Sequence, residues 1–256
     1  MAPLAPDLKQ QGLNWHFVQH DMRRAPWPFD DATFDFIMCK DMSLAVPTGT
    51  PTQRVIDECI RLLRTGGVLE IWESDYTVRS IQPHQQSAVR QDEWEQRIAK
   101  ETATFPMSPA TPFAPTQNRF LKSANAWIDQ ALEVYKLPSA PCTRIAPMLL
   151  QEPENLGDIS FRRIAVPLGQ LRWERKLDSE QLAVREAAQL VITGLIDSLE
   201  PVLRQASGKN AEEWSYWWAG MLASLSSPKD QFCAGECLEL GAWWATKLGD
   251  DDSDDC

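Results

Sequence analysis

The sequence predicts an α/β fold, and two patterns carry that prediction. Strands and helices alternate in the first third of the chain, and the last third shows long helical periodicity of its apolar residues. The chain has 256 residues, of which 43% are hydrophobic and 24% charged. These fractions are typical of folded globular proteins and argue against disordered, collagen-like and disulfide-rich miniprotein classes.

The first third predicts a parallel β-α-β unit. Residues 15–19 are rich in aromatic and β-branched residues and predict a strand, and residues 34–39 form a nearly continuous apolar run typical of a buried strand. Residues 52–63 show helical spacing that a Gly-Gly pair ends, and residues 68–72 predict the next strand. Short links between strand, helix and strand require a parallel crossover.

The middle of the chain predicts a loop-rich cap or insertion, because residues 81–122 are rich in proline, glutamine, serine and threonine. Residues 123–135 have helical spacing, and residues 158–167 alternate as a strand does.

The last third predicts three helices. Asp178 can cap a helix that runs toward Gln205, bends at Pro201 and ends at Gly208. Asn210 and Glu213 form the pattern of a capping box.

The helix after that capping box has a regular apolar face that includes Trp214, Trp217 and Trp218, which favours a core position over a ligand cage. A last helix is predicted over residues 229–247.

The sequence thus predicts four regions. They are a partial core over residues 1–75, a cap over 76–150, the end of the core sheet with Trp-rich helices over 151–249, and an acidic tail over 250–256.

Charge and cysteine content exclude several classes of protein. The formal net charge of -11 disfavours nucleic-acid binding. We expect no membrane span, because no run of about 18 apolar residues occurs, and no secretory signal, which places the protein in the cytoplasm or nucleus. The six cysteines lack metal-ligand spacing, so we expect reduced thiols and no metal site.

Three segments, in this order, resemble the second half of the core of class I S-adenosylmethionine-dependent methyltransferases. They are residues 17–21 (FVQHD), 26–37 (PWPFDDATFDFI) and 61–71 (RLLRTGGVLEI). Residues 235–244 (GECLELGAWW) and the Trp-rich helices look like fungal methyltransferases of the secondary-metabolism-regulator type. The resemblance implies an incomplete Rossmann-like methyltransferase sheet with a helical cap and a helical C-terminal region.

The chain departs from that family at its most specific signal. Its twelve glycines include no GxGxG loop, and the family's acidic residue after the second strand is absent. In the family's sheet order, 3-2-1-4-5-7-6, these features belong to strands 1 and 2. We therefore expect weak or absent S-adenosylmethionine binding. The missing loop could result from a late start site, a splice form or a true loss. We also expect residues 15–19 to pair directly with residues 34–39 and become the sheet edge.

The resemblance assigns cofactor binding to five residues. Asp21 would accept a hydrogen bond from the adenine amine and Met22 would contact the adenine ring, while Cys39, Lys40 and Asp41 would line the floor beneath the methionine part. The alternatives are a helix cap or turn role for Asp21 and a solvated turn for Lys40. The resemblance also implies one pocket formed by Asp21, the strand end at Cys39 and the Gly-Gly bend.

Substrate contact is assigned to residues that follow the fifth family strand, namely Glu73, Asp75, Tyr76 and His84. Methyl transfer can rest on positioning, so no catalytic nucleophile is expected. The predicted function is methyl transfer to a small molecule or a protein.

Two alternatives remain open. The chain could be a non-catalytic methyltransferase-like subunit that binds a protein partner through its Trp-rich helical face. It could also be an unrelated α+β domain that matches by chance.

Overall fold

The computed structural model describes residues 12–83, 93–108, 111–226, 232–233 and 235–249. The fold is mixed α/β, with a seven-stranded sheet and a separate two-stranded sheet within these residues. The elements in chain order are β1 (Phe34–Lys40), α1 (Thr50–Leu62), β2 (Leu63–Ser74), β3 (Arg79–Ile81), α2 (Glu93–Thr102), β4 (Phe105–Pro106), β5 (Phe113–Pro115), α3 (Arg119–Val134), α4 (Ile145–Leu149), β6 (Leu156–Pro167), β7 (Gln170–Leu171), α5 (Ser179–Ser198), α6 (Glu200–Ser207), α7 (Ala211–Leu225), β8 (Phe232–Cys233) and β9 (Glu236–Lys247).

The main sheet has the neighbour order β1, β2, β9, β6 at its centre. β1 pairs with β2 in parallel, and α1 connects them, which confirms the predicted β-α-β unit. β9 pairs antiparallel with β2 on one side and with β6 on the other. β6 therefore runs parallel to β2, and the one reversed strand of the four is β9. β3 continues along β9 beyond the end of β2, and β4 pairs with β6.

One face of the sheet is covered by α1 and α4. Cys39, Ile71 and Trp243 are in register across β1, β2 and β9 and share a core with Val55 of α1 and Leu149 of α4. Residues in register on neighbouring strands point to the same side, so the apolar period of two in these strands builds this core.

The other face is covered only in part. Toward the start of β9, Leu238 packs in a second core formed by α3, α5, α6 and α7. Toward the far end, Phe36, Met38 and Trp72 are 51%, 52% and 42% exposed, and Trp244 is half-buried beside them. We call these four residues the open face. β1 has a strand neighbour on one side only among the described residues, so it is also an open edge.

Most helical predictions for the last third are confirmed. Asp178 and Asn210 each form a capping box, with Gln181 and with Glu213. The predicted bend near Pro201 is a break at Leu199 between α5 and α6, and Gly208 ends α6 in the left-handed conformation. The strand predicted over residues 158–167 is β6, and the helix predicted over 123–135 is α3.

The prediction of a strand at residues 15–19 is wrong. Residues 13–20 form no strand, and Phe17 and Val18 are each 46% exposed. β-branched and aromatic residues fit a pleated surface but need a partner strand to supply ladder hydrogen bonds. Residues 15–19 therefore do not pair with β1, and β1 itself is the edge.

The prediction of a helix over residues 229–247 is also wrong. Residues 236–247 form β9, whose side chains from 240 to 245 alternate between half-buried and buried. A Cβ atom on Gly241 would lie only 2.1 Å from the indole ring of Trp243, which occupies that space. A glycine inside a strand marks such a close approach. Residues 229–231 and 234 lie outside the described residues.

No helix among the described residues is long and apolar enough to cross a membrane.

Candidate functional site at the carboxyl ends of β1 and β2

Three of the predicted cofactor residues end β1. Lys40 has an exposed side chain, and Asp41 has φ 51° and precedes a 3-10 turn over Met42–Leu44. The Asp41 amide donates to the carbonyl of Trp72 at 2.9 Å, which holds this turn against β2. Cys39 is buried, with its Sγ 3.7 Å from Sγ of Cys59 in α1. Lys40 and Asp41 are thus accessible at the strand end, whereas Cys39 is a core thiol.

The carboxylate of Asp21 is paired with two neighbouring arginines. It accepts hydrogen bonds from the amide and Nε of Arg23, at 3.1 and 2.8 Å, and Arg24 lies 3.6 Å away. The hydrogen bonds from Arg23 hold the pKa of Asp21 down at about 2. This is the turn role that the sequence left open as an alternative.

Met22 belongs to a loop that is fastened to α1. Its carbonyl accepts from Nε1 of Trp27 at 3.0 Å, and the Trp27 amide donates to Oε2 of Glu58 at 2.6 Å. Arg61 bonds both Glu58 and the Trp27 carbonyl. The loop therefore lies against the C-terminal half of α1.

The loop that holds Met22 and the Gly-Gly bend both lie near the C-terminal half of α1. α1 runs back from the carboxyl end of β1 to the amino end of β2, so its C-terminal half lies toward the amino end of the sheet. Gly66 and Gly67 also lie at that amino end, before Val68, which pairs with Phe36. Within the described chain no hydrogen bond joins Asp21 or Met22 to residues 39–41. The described hydrogen bonds therefore do not join these features, although the Met22 side chain packs against the same hydrophobic core as Cys39.

Glu73 and Tyr76, two of the predicted substrate residues, are buried at the end of β2. Glu73 is 2% exposed and accepts hydrogen bonds from the amide and hydroxyl of Ser43, at 3.0 and 2.8 Å. The Tyr76 hydroxyl donates to its other oxygen at 3.2 Å. Burial raises the pKa of Glu73 despite these donors. Burial likewise raises the pKa of Tyr76 far above its ordinary value.

Asp75 belongs to a second buried charge network. Its Oδ1 accepts from the Cys142 amide at 2.9 Å, while Oδ2 lies 3.6 Å from Nη2 of Arg79 and has no hydrogen bond to any described residue. Arg79 holds Glu239 of β9 through two hydrogen bonds, and Arg163 lies 3.3 Å from the same carboxylate. Burial raises the pKa of both Asp75 and Glu239.

Sequence reasoning missed the partners of these acids, among them Ser43, Arg79 and Glu239. A signal for Glu239 was present, because an acidic residue within the apolar run of residues 237–245 must find a partner when buried. No pattern in the sequence pointed to Ser43 or Arg79, which reach the site through the fold.

His84, the last predicted substrate residue, lies outside the described residues. No cluster of three or more histidine, cysteine or acidic residues that could hold a metal occurs among the residues described. Cys39, Cys59, Cys142 and Cys237 are buried free thiols.

The Trp-rich helical face is core. Trp214 and Trp217 of α7 pack on Trp127 of α3, with ring centroids 5.9 and 4.8 Å away. Trp214 is 3% exposed and Trp217 is 9% exposed. This confirms the core interpretation over the ligand cage, and it removes these residues from the accessible surface.

The residues that the structure describes do not assemble a complete S-adenosylmethionine site. Of the five assigned residues, Asp21 is paired with arginines and Cys39 is buried. The carboxyl end of β1 leads into the turn at Asp41, and no GxGxG sequence occurs among the described residues.

Comparison with known protein families gives one match. Residues 2–67 match a family described as a methyltransferase domain, which is less than half of the chain. No curated protein sequence matches the chain.

Solved structures resemble the chain at low similarity. One is a Haemonchus contortus phosphoethanolamine N-methyltransferase 2 in complex with phosphomonomethylethanolamine and S-adenosylhomocysteine, at 11% identity and a TM-score of 0.35, covering 87% of this chain and 36% of that one. Another is the [4+2]-cyclase SpnF, at 11% identity and a TM-score of 0.38, covering 94% of this chain and 61% of that one. The chain thus spans less than two thirds of the length of either protein.

Proposed function

We propose that this chain is a class I methyltransferase-family protein that takes S-adenosylmethionine as methyl donor and a small molecule or protein as acceptor, with donor binding weak or absent in the chain as it stands. The observation that carries the proposal is the strand order β1, β2, β9, β6 with β9 alone reversed. It corresponds to strands 4, 5, 7 and 6 in the family order 3-2-1-4-5-7-6. The match of residues 2–67 to a methyltransferase domain is independent support.

The residues proposed to contact donor and acceptor lie at the carboxyl ends of β1 and β2. Lys40 and Asp41 are the accessible residues there, and they are the proposed remnant of the donor site. Glu73, Asp75 and Tyr76 lie next to these residues and are buried, with hydrogen bonds to Ser43, to Cys142 and between Glu73 and Tyr76. We propose that Glu73 and Tyr76 position the acceptor site, since bonding an acceptor directly would break their buried hydrogen bonds. Oδ2 of Asp75 has no hydrogen bond to any described residue, so it keeps its proposed role in acceptor contact.

Calorimetry with S-adenosylmethionine tests this proposal. We expect a dissociation constant in the millimolar range or no measurable heat, because the carboxylate of Asp21 is paired with arginines and the chain contains no GxGxG loop. Micromolar binding would contradict the proposed impairment.

A second test of the proposal uses the coding sequence upstream of Met1. An in-frame strand ending in GxGxG would support family membership, and the longer chain should then bind S-adenosylmethionine at least about tenfold more tightly, a gain of about 1.4 kcal/mol. If that longer chain also fails to bind, the methyl-donor assignment is wrong.

A second candidate function is a non-catalytic subunit that pairs with a methyltransferase homologue. One observation favours it, namely the open face beside the unpaired edge of β1. This surface, rather than the buried Trp-rich helices, is the proposed contact. Sedimentation of an equimolar mixture with the homologue tests it, with Phe36→Lys/Met38→Lys expected to abolish the complex and Lys122→Ala, exposed on α3, to leave it intact.

A further inference from the structure

A cavity of about 510 Å³ lies between α2, β4 and the segment that leads into α5. Its apolar walls include Phe105, Pro106, Trp173 and Leu177. Pockets for small molecules usually measure roughly 300 to 1,000 Å³. Because β9 and β6 separate β4 from β2, this cavity is distinct from the carboxyl ends of β1 and β2.

The walls of the cavity are fixed to one another by Gln181. Its Nε2 donates to the carbonyl of Lys100 near the end of α2 at 2.9 Å. Its Oε1 accepts from the Asp178 amide at 3.1 Å, within the capping box that begins α5. One side chain therefore ties two helices that line the cavity, so the space is formed before any ligand binds.

The one acidic lining residue is neutralised within the fold. Glu174 accepts from the Leu171 amide at 2.8 Å through Oε1 and from Nη2 of Arg185 at 3.0 Å through Oε2. Arg185 is 2% exposed, so this ion pair is shielded from water. The negative charge of Glu174 is thereby offset by Arg185.

Two lining cations are left without such compensation. The Lys100 ammonium and the Arg175 guanidinium form no hydrogen bond or ion pair with any described residue, although both line the cavity. The chain as a whole carries a net charge of -11. A cavity whose uncompensated charges are both positive is therefore an attractive site for an anion in an otherwise acidic protein.

We propose that this cavity binds a small organic anion with a flat apolar body, such as an aromatic carboxylate or sulfonate. Arg175 and Lys100 would receive the acid group, since guanidinium and ammonium groups form charge-assisted hydrogen bonds to such oxygens. Trp173 and Phe105 would cover the ring. This site goes beyond the proposed methyl transfer and does not depend on it.

Fluorescence titration with 8-anilinonaphthalene-1-sulfonate, an aromatic anion, tests the proposal. We expect Lys100→Ala/Arg175→Ala to raise the dissociation constant at least about fivefold, since losing about 1 kcal/mol of partly exposed ion pairing has that effect. The matched control is Arg172→Ala/Lys176→Ala, which removes the same charge from exposed neighbours that do not line the cavity. The control should stay within about twofold of the unmodified chain, because remote exposed charges contribute little.

A neutral probe of similar shape, N-phenyl-1-naphthylamine, separates this site from general apolar adsorption. Its binding should be the same in both double variants. The proposal is overturned if the unmodified chain does not bind the sulfonate, if both double variants weaken binding equally, or if neither does.

Discussion

At the residue scale, the most informative groups are the buried carboxylates at the end of β2. Glu73 was predicted from its position after an apolar run, and the structure does place it at the strand end. Its burial and its bonds to Ser43 could not be predicted, because Ser43 is 30 residues away in sequence. A polar residue that follows a strand is usually solvated, but the turn at residues 42–44 and the Tyr76 hydroxyl enclose this one.

Glu73→Gln is expected to change the pH dependence of stability. Because burial raises the pKa of Glu73 in the folded chain, the folded state binds more protons than the unfolded state, and stability falls as pH rises from the unfolded pKa toward the folded one. Glutamine stays neutral and can still accept from Ser43, so the variant should lose less stability over that rise. At pH 8, where the carboxylate of Glu73 is charged, the variant should therefore be more stable than the unmodified chain relative to their difference at pH 4.

Urea unfolding from pH 4 to pH 8 measures this effect. Glu133→Gln, on an exposed position of α3, is the control and should leave the pH profile unchanged. A Glu73→Gln profile parallel to that of the unmodified chain would show that Glu73 does not bind its proton more tightly in the fold.

At the element scale, β9 shows how tertiary context decides between helix and strand. Residues 236–247 are apolar enough for either structure, and the sequence predicted a helix over residues 229–247. Insertion between β2 and β6 decides the outcome, since both neighbours supply backbone hydrogen bonds. α5 and α7, by contrast, begin with capping boxes and were predicted correctly, because capping acts within four residues.

The variants Trp243→Ala and Trp244→Ala distinguish a strand from a helix over residues 236–247. In a strand the adjacent tryptophans point to opposite faces, and Trp243 is fully buried while Trp244 is half-buried on the open face. We expect Trp243→Ala to lower the free energy of unfolding by about 3 to 5 kcal/mol. Trp244→Ala should lower it by less than about 2 kcal/mol.

Chemical denaturation of both variants provides the comparison. Similar losses in the two variants would be inconsistent with the alternation of β9.

At the scale of the whole molecule, the sheet is covered unevenly. α1 and α4 pack on one face of β1, β2 and β9, whereas the open face and the edge of β1 have no covering helix or strand among the described residues. The sequence predicted that residues 15–19 would extend the sheet beyond β1. Because residues 15–19 form no strand, β1 is the edge of the sheet in their place.

Phe36→Thr and Met38→Thr should therefore leave the free energy of unfolding within about 0.5 kcal/mol of the unmodified chain, because both side chains are about half exposed. Ile71→Thr, on the covered face of β2, is the contrasting variant and should lose at least about 2 kcal/mol. Urea denaturation measures all three. A loss above about 1 kcal/mol at Phe36 or Met38 would show that the open face is packed.

The sequence by itself determined the β-α-β unit of β1, α1 and β2, the strand β6 and the capped helices α5 and α7. Each depends on contacts close in the chain: periodicity, a cap or a turn. The strand formed by residues 236–247 and the burial of Glu73 and Glu239 follow from tertiary structure. These outcomes depend on which distant segments meet, since ladder hydrogen bonds and desolvation arise from neighbours that local patterns do not specify.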